Sequence, residues 1–139
     1  MQPNPAVVAE TREWLETVAI DLESAASDMA HTPPILAGVV FHCQQAVEKV
    51  LKAFLTWHDQ PFAKTHDLAR IGKPCVALDA SLLPLVERAV PLTEYAWRGR
   101  YPGERLKPTL EEAQRALALA QDVVEAVTAR IPLPTEPDA

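Results

Sequence analysis

The stretch FHCQQAVEKVLKAFL, residues 41–55, determines more of the fold than any other part of the chain. When this stretch and its flanks are projected at 100° per residue, apolar side chains gather in one arc of about 140°. The members of this arc are Leu36, Val39, Val40, Cys43, Ala46, Val47, Val50, Leu51, Phe54 and Trp57. Phe41 and Leu55 fall nearly opposite the arc. The pattern predicts a helix that is covered on two sides, either by its own bundle or by a second subunit.

Polar side chains occupy the strip that this apolar arc leaves uncovered. His42, Gln45, Lys49 and Lys52 share it. Side chains one helical turn apart face the same direction. The strip is therefore one wall of a polar site, or else a solvated face or the rim of a dimer contact. Cys43 falls inside the apolar arc, which predicts a small buried hydrophobic residue.

The N-terminal region has the pattern of a second amphipathic helix, because its apolar residues recur at steps of three, four and seven. These residues are Val8, Leu15, Val18, Leu22, Ala26 and Met29. Asn4 and Pro5 are suited to its cap and first turn. The segment HTPP, residues 31–34, ends this helix, and Thr32 is predicted to cap the next one.

The middle of the chain alternates loops and helices. Residues 58–68 are predicted to form a loop that closes onto a short helix capped by Thr65 or Asp67 and ended by Gly72 and Pro74. Residues 81–97 again have helical spacing. Pro84 suits the first turn of that helix, and Pro91 is expected to kink it or split it in two.

The last helix has the clearest boundaries. TLEE, residues 109–112, is a capping box. The core positions that follow it are Ala113, Leu117, Ala120, Val124, Val127 and Ile131. The segment PLPTEPDA, residues 132–139, has too little apolar surface to bury and is predicted to be a flexible tail.

The fold class follows from these patterns. No segment alternates apolar and polar residues with the period of a strand. The predicted fold is all-α, an up-and-down antiparallel bundle of four long helices and a short one, in a single domain at residues 1–131.

Composition excludes several classes of protein. The two cysteines, Cys43 and Cys75, are too few and too far apart for a structural zinc site, and neither a metal nor a cofactor is predicted. No apolar run approaches the roughly 18 residues of a membrane span. The N-terminus has no signal-like pattern, so we expect a cytoplasmic protein with reduced thiols.

Charge is distributed unevenly along the chain. The net charge is −6, but residues 64–107 contain eight basic and five acidic side chains. Arg98, Arg100, Arg105 and Lys107, together with Tyr101, form the best candidate for an anion-binding segment, because guanidinium groups match phosphate oxygens and an aromatic ring can stack on a base. Alternatively, Arg100 pairs with a nearby glutamate and Tyr101 packs the loop against the bundle.

Four separated segments share a family resemblance. The helix from Trp14 and Leu15 to DLESA, then FHCQQAVEKVLKAFL, then KTHDL and finally LTEYAWRGRYPGE resemble, in order and spacing, the small prokaryotic HEPN domain proteins over about residues 11–130. The resemblance implies a helical bundle that forms a homodimer and is often encoded beside a minimal nucleotidyltransferase. Members of the family are described as nucleotide-binding proteins, as toxins of toxin–antitoxin pairs and as metal-independent ribonucleases.

The ribonuclease members share an Arg followed after four to six residues by a His. Of the four histidines, His31, His42, His58 and His66, none has an arginine at that spacing. The local pairing of a general acid–base imidazole with a phosphate-binding guanidinium is therefore missing. The family pattern of a Tyr, an Arg and YP does match Tyr95, Arg100, Tyr101 and Pro102.

Three functional hypotheses remain open, and the sequence assigns no catalytic residue to any of them. In the first, a nucleotide or an RNA phosphate binds in a cleft without being cut; the candidate ligand-binding residues are Arg98, Arg100, Tyr101, Tyr95, His66, His42 and Lys49. In the second, a ribonuclease site draws its Arg and His from different helices or subunits. In the third, the chain is a structural partner of a nucleotidyltransferase. His66 in THDL either acts in the site with Asp67 as its partner or helps to cap the short helix.

Overall fold

A computed structural model describes residues 3–97 and 107–135 of the chain, and these residues contain helices and no strand. The α-helices are α1 (Pro5–Ala30), α2 (Leu36–Trp57), α3 (Leu68–Leu78), α4 (Leu83–Ala89) and α5 (Leu110–Thr128). Two 3-10 helices, Ala80–Leu82 and Val90–Ala96, flank α4. The predicted all-α bundle is confirmed.

Helix α2 lies at the centre of the bundle, with α1 and α5 as its main partners. Eight of the ten residues in its apolar arc are buried, and the other two, Leu36 and Trp57, are partly buried and pack against the core at the two ends of the helix. Leu55, on the opposite side, is also buried, whereas Phe41 is exposed. The prediction that α2 is covered on two sides is confirmed within this single chain.

The polar side of α2 is more deeply covered than a solvated strip would be. Gln44, Glu48, Lys52 and Thr56 are all buried there. Lys52, which the helical projection places beside His42 and Lys49 on an open strip, is therefore an interior residue. Buried polar groups need partners, and these are described with the site below.

The core face of α1 differs from the predicted stripe. The buried residues are Val8, Thr11, Val18, Asp21 and Ala25, while Ala26 is exposed. Apolar spacing alone misses Thr11 and Asp21, because both are polar. They are tolerated inside because each has a partner: the Thr11 hydroxyl donates to the Val7 carbonyl at 2.7 Å, and Asp21 pairs with two side chains of α2.

Of the caps predicted for the first two helices, the structure contains the one on α1 and lacks the one on α2. Asn4 does cap α1, accepting from the Ala6 amide at 2.8 Å. Thr32 does not cap α2, which begins only at Leu36 with Ile35 in the cap position and no side-chain cap. The pair Pro33–Pro34 explains this, because a residue that precedes proline is driven away from helical backbone angles.

Helix α3 is longer than predicted. Asp67 caps it, accepting from the Ala69 amide at 3.0 Å, but Gly72 and Pro74 lie inside the helix instead of ending it. A Cβ at position 72 would collide with Val86, so the glycine serves close helix packing and does not mark a terminus. Pro74 lies within the helix although proline lacks the amide hydrogen of a regular helical residue.

The C-terminal elements agree better with the sequence. Pro91 does split its helix, since α4 ends at Ala89 and a 3-10 helix continues to Ala96. Thr109 caps α5, accepting from the Glu112 amide at 3.0 Å. Beyond α5, Leu133 packs against the core and the Arg12 guanidinium donates to the Pro134 carbonyl. Residues 136–139 lie outside the described part of the chain, and the domain boundary at residue 131 stays a prediction.

Candidate functional site

A buried carboxylate on α2 organises the first of two polar clusters, which we call the Glu48 centre and define as Glu48, His66, Lys52 and Gln44. The Glu48 Oε1 atom lies 2.7 Å from His66 Nδ1 and accepts from Gln44 Nε2 at 3.1 Å. Its second oxygen, Oε2, accepts from Lys52 Nζ at 3.0 Å. Both oxygens of the buried Glu48 carboxylate therefore have hydrogen-bond partners, as burial of a charge requires.

Helical spacing builds most of this centre. Gln44, Glu48 and Lys52 follow one another at steps of four residues, so they form a line along one side of α2. His66 comes from the loop before α3, and its own carbonyl accepts from Gln44 Nε2 at 3.3 Å. Asp67, the next residue, caps α3, and the short loop is thereby held at both ends.

Two aromatic rings enclose the lysine of this centre. Lys52 Nζ lies 5.8 Å from the Trp14 ring centroid and 5.5 Å from that of Phe62, and the two rings meet edge to face. The side chain is only 11 % exposed. Lys52 thus compensates the charge of Glu48 inside the protein and gains cation–π contacts, but it is poorly placed to reach a ligand in solvent.

A second buried carboxylate lies between α1 and α2. Asp21 Oδ1 is 2.9 Å from His42 Nδ1, and Asp21 Oδ2 accepts from Lys49 Nζ at 2.7 Å. We call these three residues the Asp21 centre. The carboxylate is contributed by α1 and both of its partners by α2, so the centre links the two helices. The His42 and Lys49 side chains are 28 % and 25 % exposed.

Both imidazoles are oriented in the same way. A carboxylate only accepts hydrogen bonds, so the Nδ1 atom that faces it carries a proton. In the neutral ring this leaves the lone pair on Nε2. The His66 side chain is 37 % exposed, and none of residues 3–97 and 107–135 hydrogen-bonds to its Nε2. An imidazole fixed in this way can bind an anion when it is protonated, and can take up a proton when it is neutral.

The predicted candidates His66, His42 and Lys49 all lie in one of these centres, but the two imidazoles have different carboxylate partners. Asp67 is not the partner of His66, since its Oδ1 accepts from backbone amides of α3. The capping interpretation of Asp67 is confirmed, and Thr65 Oγ1 accepts from the Asp67 amide at 3.1 Å.

Sequence reasoning missed the carboxylates themselves. Glu48 has a usable signal, since Gln44, Glu48 and Lys52 recur at four-residue steps. Asp21 has a weaker one, as a single acid within an otherwise apolar stripe. Its pairing with α2 depends on how two helices pack, and no local pattern contains that information.

Four residues of the predicted anion-binding segment, Arg98, Arg100, Tyr101 and Arg105, lie outside the described residues, as does Pro102 of the family pattern. Tyr95 packs against α5, where it lines a cavity of about 270 Å³ with Glu112 and Arg115. Burial raises the pKa of the Tyr95 hydroxyl, and the negative charges of Glu112 and Glu94 raise it further. Tyr95 is thus in neither of the two centres.

The thiols are buried, as predicted for Cys43. Burial raises the pKa of Cys43 and of Cys75 to about 12. Within the described ranges, no group of three or more His, Cys, Asp or Glu side chains is arranged to hold a metal ion. Of the helices in those ranges, none has both the length and the apolar content required to cross a bilayer.

Comparison with known proteins gives one finding. The family model described as HEPN domain matches residues 11–131, which is most of the chain and includes both polar centres. Neither the curated proteins nor the solved structures show a significant match to the chain.

Proposed function

This chain belongs to the HEPN domain family, and on that premise we propose that it binds nucleotides or RNA through a phosphate group at the Glu48 centre. In this proposal the chain is the ligand-binding half of a toxin–antitoxin-like module whose other half is a nucleotidyltransferase. The observation that carries it is the presentation of His66, whose Nδ1 is held at 2.7 Å by a buried carboxylate while the ring remains partly exposed.

The charge balance of the Glu48 centre favours an anionic ligand. Glu48 and Lys52 neutralise one another in the interior. When His66 is protonated, the centre carries one net positive charge, and this charge is on the group nearest to solvent. A hydrogen bond from an imidazolium to a phosphate oxygen is charge-assisted and correspondingly strong.

The Asp21 centre has the same charge balance and exposes two cationic groups. Asp21 is neutralised by Lys49, so a protonated His42 again adds a positive charge near the surface. We assign His42 and Lys49 to neighbouring phosphates of a polymeric ligand. Arg98, Arg100 and Tyr101 remain part of the proposal on their sequence alone.

The test measures binding of ATP and of a short RNA to the purified protein at low and at moderate salt. We expect saturable binding, which His66→Gln weakens about 10- to 100-fold, the effect of losing a charge-assisted hydrogen bond. His58→Gln is the matched control, because His58 is exposed and its ring contacts Phe54 and neither centre. Absence of saturable binding, or an equal loss in both variants, would contradict the proposal.

A metal-independent ribonuclease is the second candidate function. It is favoured by the carboxylate-oriented imidazole, because a ring with Nδ1 protonated presents Nε2 as a general base. The prediction is RNA cleavage in the presence of a chelator, abolished by His66→Gln and retained by His58→Gln. If the RNA is unchanged after prolonged incubation, the ribonuclease hypothesis is contradicted and only the binding hypothesis remains.

Assembly is a separate part of the proposal. Family membership supports a homodimer and a nucleotidyltransferase partner. Light scattering of the purified chain tests the first, and copurification with a coexpressed small nucleotidyltransferase tests the second. Copurification combined with failure to bind both ATP and RNA would favour a purely structural partner.

A further inference from the structure

An exposed tryptophan lies against the imidazole of the Glu48 centre. Trp97 follows the 3-10 helix Val90–Ala96 directly and is 43 % exposed. Its ring centroid is 5.7 Å from that of His66, with an angle of 71° between the planes. The other two tryptophans, Trp14 and Trp57, are partly buried and pack against the core.

The Trp97 indole is held in place although it is partly exposed. The edge-to-face contact with His66 holds the indole beside the imidazole. Because His66 is itself held by Glu48, the indole is part of a constrained arrangement and not a freely rotating surface side chain.

The two rings together have complementary binding properties. The imidazole offers a polar nitrogen to a phosphate, and the indole offers a flat apolar surface. Single-stranded RNA is commonly bound by such a combination, in which unpaired bases stack on aromatic side chains while cationic groups contact the backbone. The two ring centroids are 5.7 Å apart, so the base and a phosphate of one short RNA segment can contact both rings.

We propose that Trp97 is a base-stacking residue and that the ligand of the Glu48 centre is single-stranded RNA with an unpaired base beside the bound phosphate. This inference rests on the phosphate-binding function proposed above and narrows its ligand class. A base that is paired within a duplex cannot stack on the indole, and a sugar phosphate without a base has nothing to stack.

The experiment compares three probes: a short oligoadenylate, an abasic ribose-phosphate oligomer of equal length, and the same oligoadenylate in a duplex. We expect the wild-type protein to bind the single strand most tightly. Trp97→Ala should weaken binding of the single strand about 5- to 140-fold, the range reported for loss of one base–aromatic stack. It should weaken binding of the abasic oligomer much less, because Glu48 still holds the His66 imidazole.

Two further variants separate stacking from a general loss of structure. Trp97→Phe keeps an aromatic ring and should retain most of the affinity. Binding of the single strand should also quench indole fluorescence in the wild type and in Trp57→Phe, and this quenching should disappear in Trp97→Phe. Both readouts remain informative if Trp97→Ala does not fold.

The outcomes distinguish this inference from the function on which it rests. If the wild type binds the abasic oligomer as tightly as oligoadenylate, or if Trp97→Phe still shows full quenching, stacking on Trp97 is overturned while phosphate binding stands. If the wild type binds none of the three probes, phosphate binding itself is overturned.

Discussion

The Glu48 centre and the Asp21 centre share three kinds of side chain, a carboxylate, an imidazole and a lysine, yet they differ in which group remains accessible. In the Glu48 centre the lysine is enclosed by Trp14 and Phe62, and the imidazole is the most exposed member. In the Asp21 centre the lysine and the imidazole are about equally exposed, and the carboxylate joins two helices.

This difference indicates two roles for one chemical arrangement. In the Glu48 centre the carboxylate is paired with an enclosed lysine, and the imidazole is the group that we propose contacts the ligand. In the Asp21 centre the carboxylate is shared between two partly exposed cationic groups and also links α1 to α2. The same comparison predicts that substitutions in the two centres lower the free energy of unfolding by different amounts.

Glu48→Ala should have the largest effect on stability. It leaves the enclosed ammonium of Lys52 without its counter-ion, and removal of one partner of a buried ion pair costs about 3–5 kcal/mol. Urea unfolding measures the loss. The double variant Glu48→Leu with Lys52→Met should recover most of it, since no uncompensated charge then remains. A cost below about 1 kcal/mol for Glu48→Ala would contradict the enclosure of Lys52.

Asp21→Ala should cost less, about 1–3 kcal/mol in the free energy of unfolding. Its partners His42 and Lys49 are partly exposed, so water can replace the lost carboxylate. The same urea experiment measures it. If Asp21→Ala proved as destabilising as Glu48→Ala, the distinction between an enclosed and an accessible centre would be wrong.

Lys49→Met should cost about 1 kcal/mol or less, as is typical of ion pairs that water reaches. Asp21 keeps His42 as a partner in this variant. The cost should also fall when unfolding is repeated at high ionic strength, since salt screens accessible charges more than buried ones. A cost that does not change with salt would indicate that Lys49 is enclosed like Lys52.

The smallest exposure to solvent is expected at the two cysteines, Cys43 on α2 and Cys75 on α3, which are both buried. Because burial raises the pKa of the Cys43 and Cys75 thiols to about 12, roughly one thiol in ten thousand is ionised at pH 8. A thiol-specific reagent should therefore not react with the native protein and should label both cysteines after denaturation. Rapid native labelling of Cys43 would show that water reaches the side of α2 opposite the two centres.

The same shift determines a pH dependence of stability. The folded protein holds these thiol protons more tightly than the unfolded chain, whose thiols ionise near the ordinary pKa of 9.0. Their contribution is fully present below pH 9 and is lost as the pH rises from there toward 12. Cys43→Ala should flatten this alkaline loss, which urea unfolding at pH 8 and at pH 10 measures.

Much of the fold was predictable because it depends on local rules. The apolar arc of α2, the caps at Asn4, Asp67 and Thr109 and the break at Pro91 all follow from helical periodicity and backbone chemistry. The error at Gly72 arose where a neighbouring helix intervenes. Pro74 is retained inside α3, whose Gly72 lies in close contact with Val86, and such a contact is invisible to propensity.

The candidate site was predictable only in part. His66, His42 and Lys49 could be selected as polar groups near an apolar face, but their carboxylate partners could not. The Glu48 partner of His66 is 18 residues away and the Asp21 partner of His42 is 21 residues away, so each pairing depends on where a loop or a helix docks.

The sequence by itself determined that this chain folds as a helical bundle around α2, because periodic apolar residues must be removed from water wherever the chain places them. Only the tertiary structure decided that the polar side of α2 is also interior and that the imidazoles of His42 and His66 are each held by a buried carboxylate. The physical reason is that burial of a charge is tolerated only where a partner lies within hydrogen-bonding distance, and those distances are set by packing between segments far apart in the sequence.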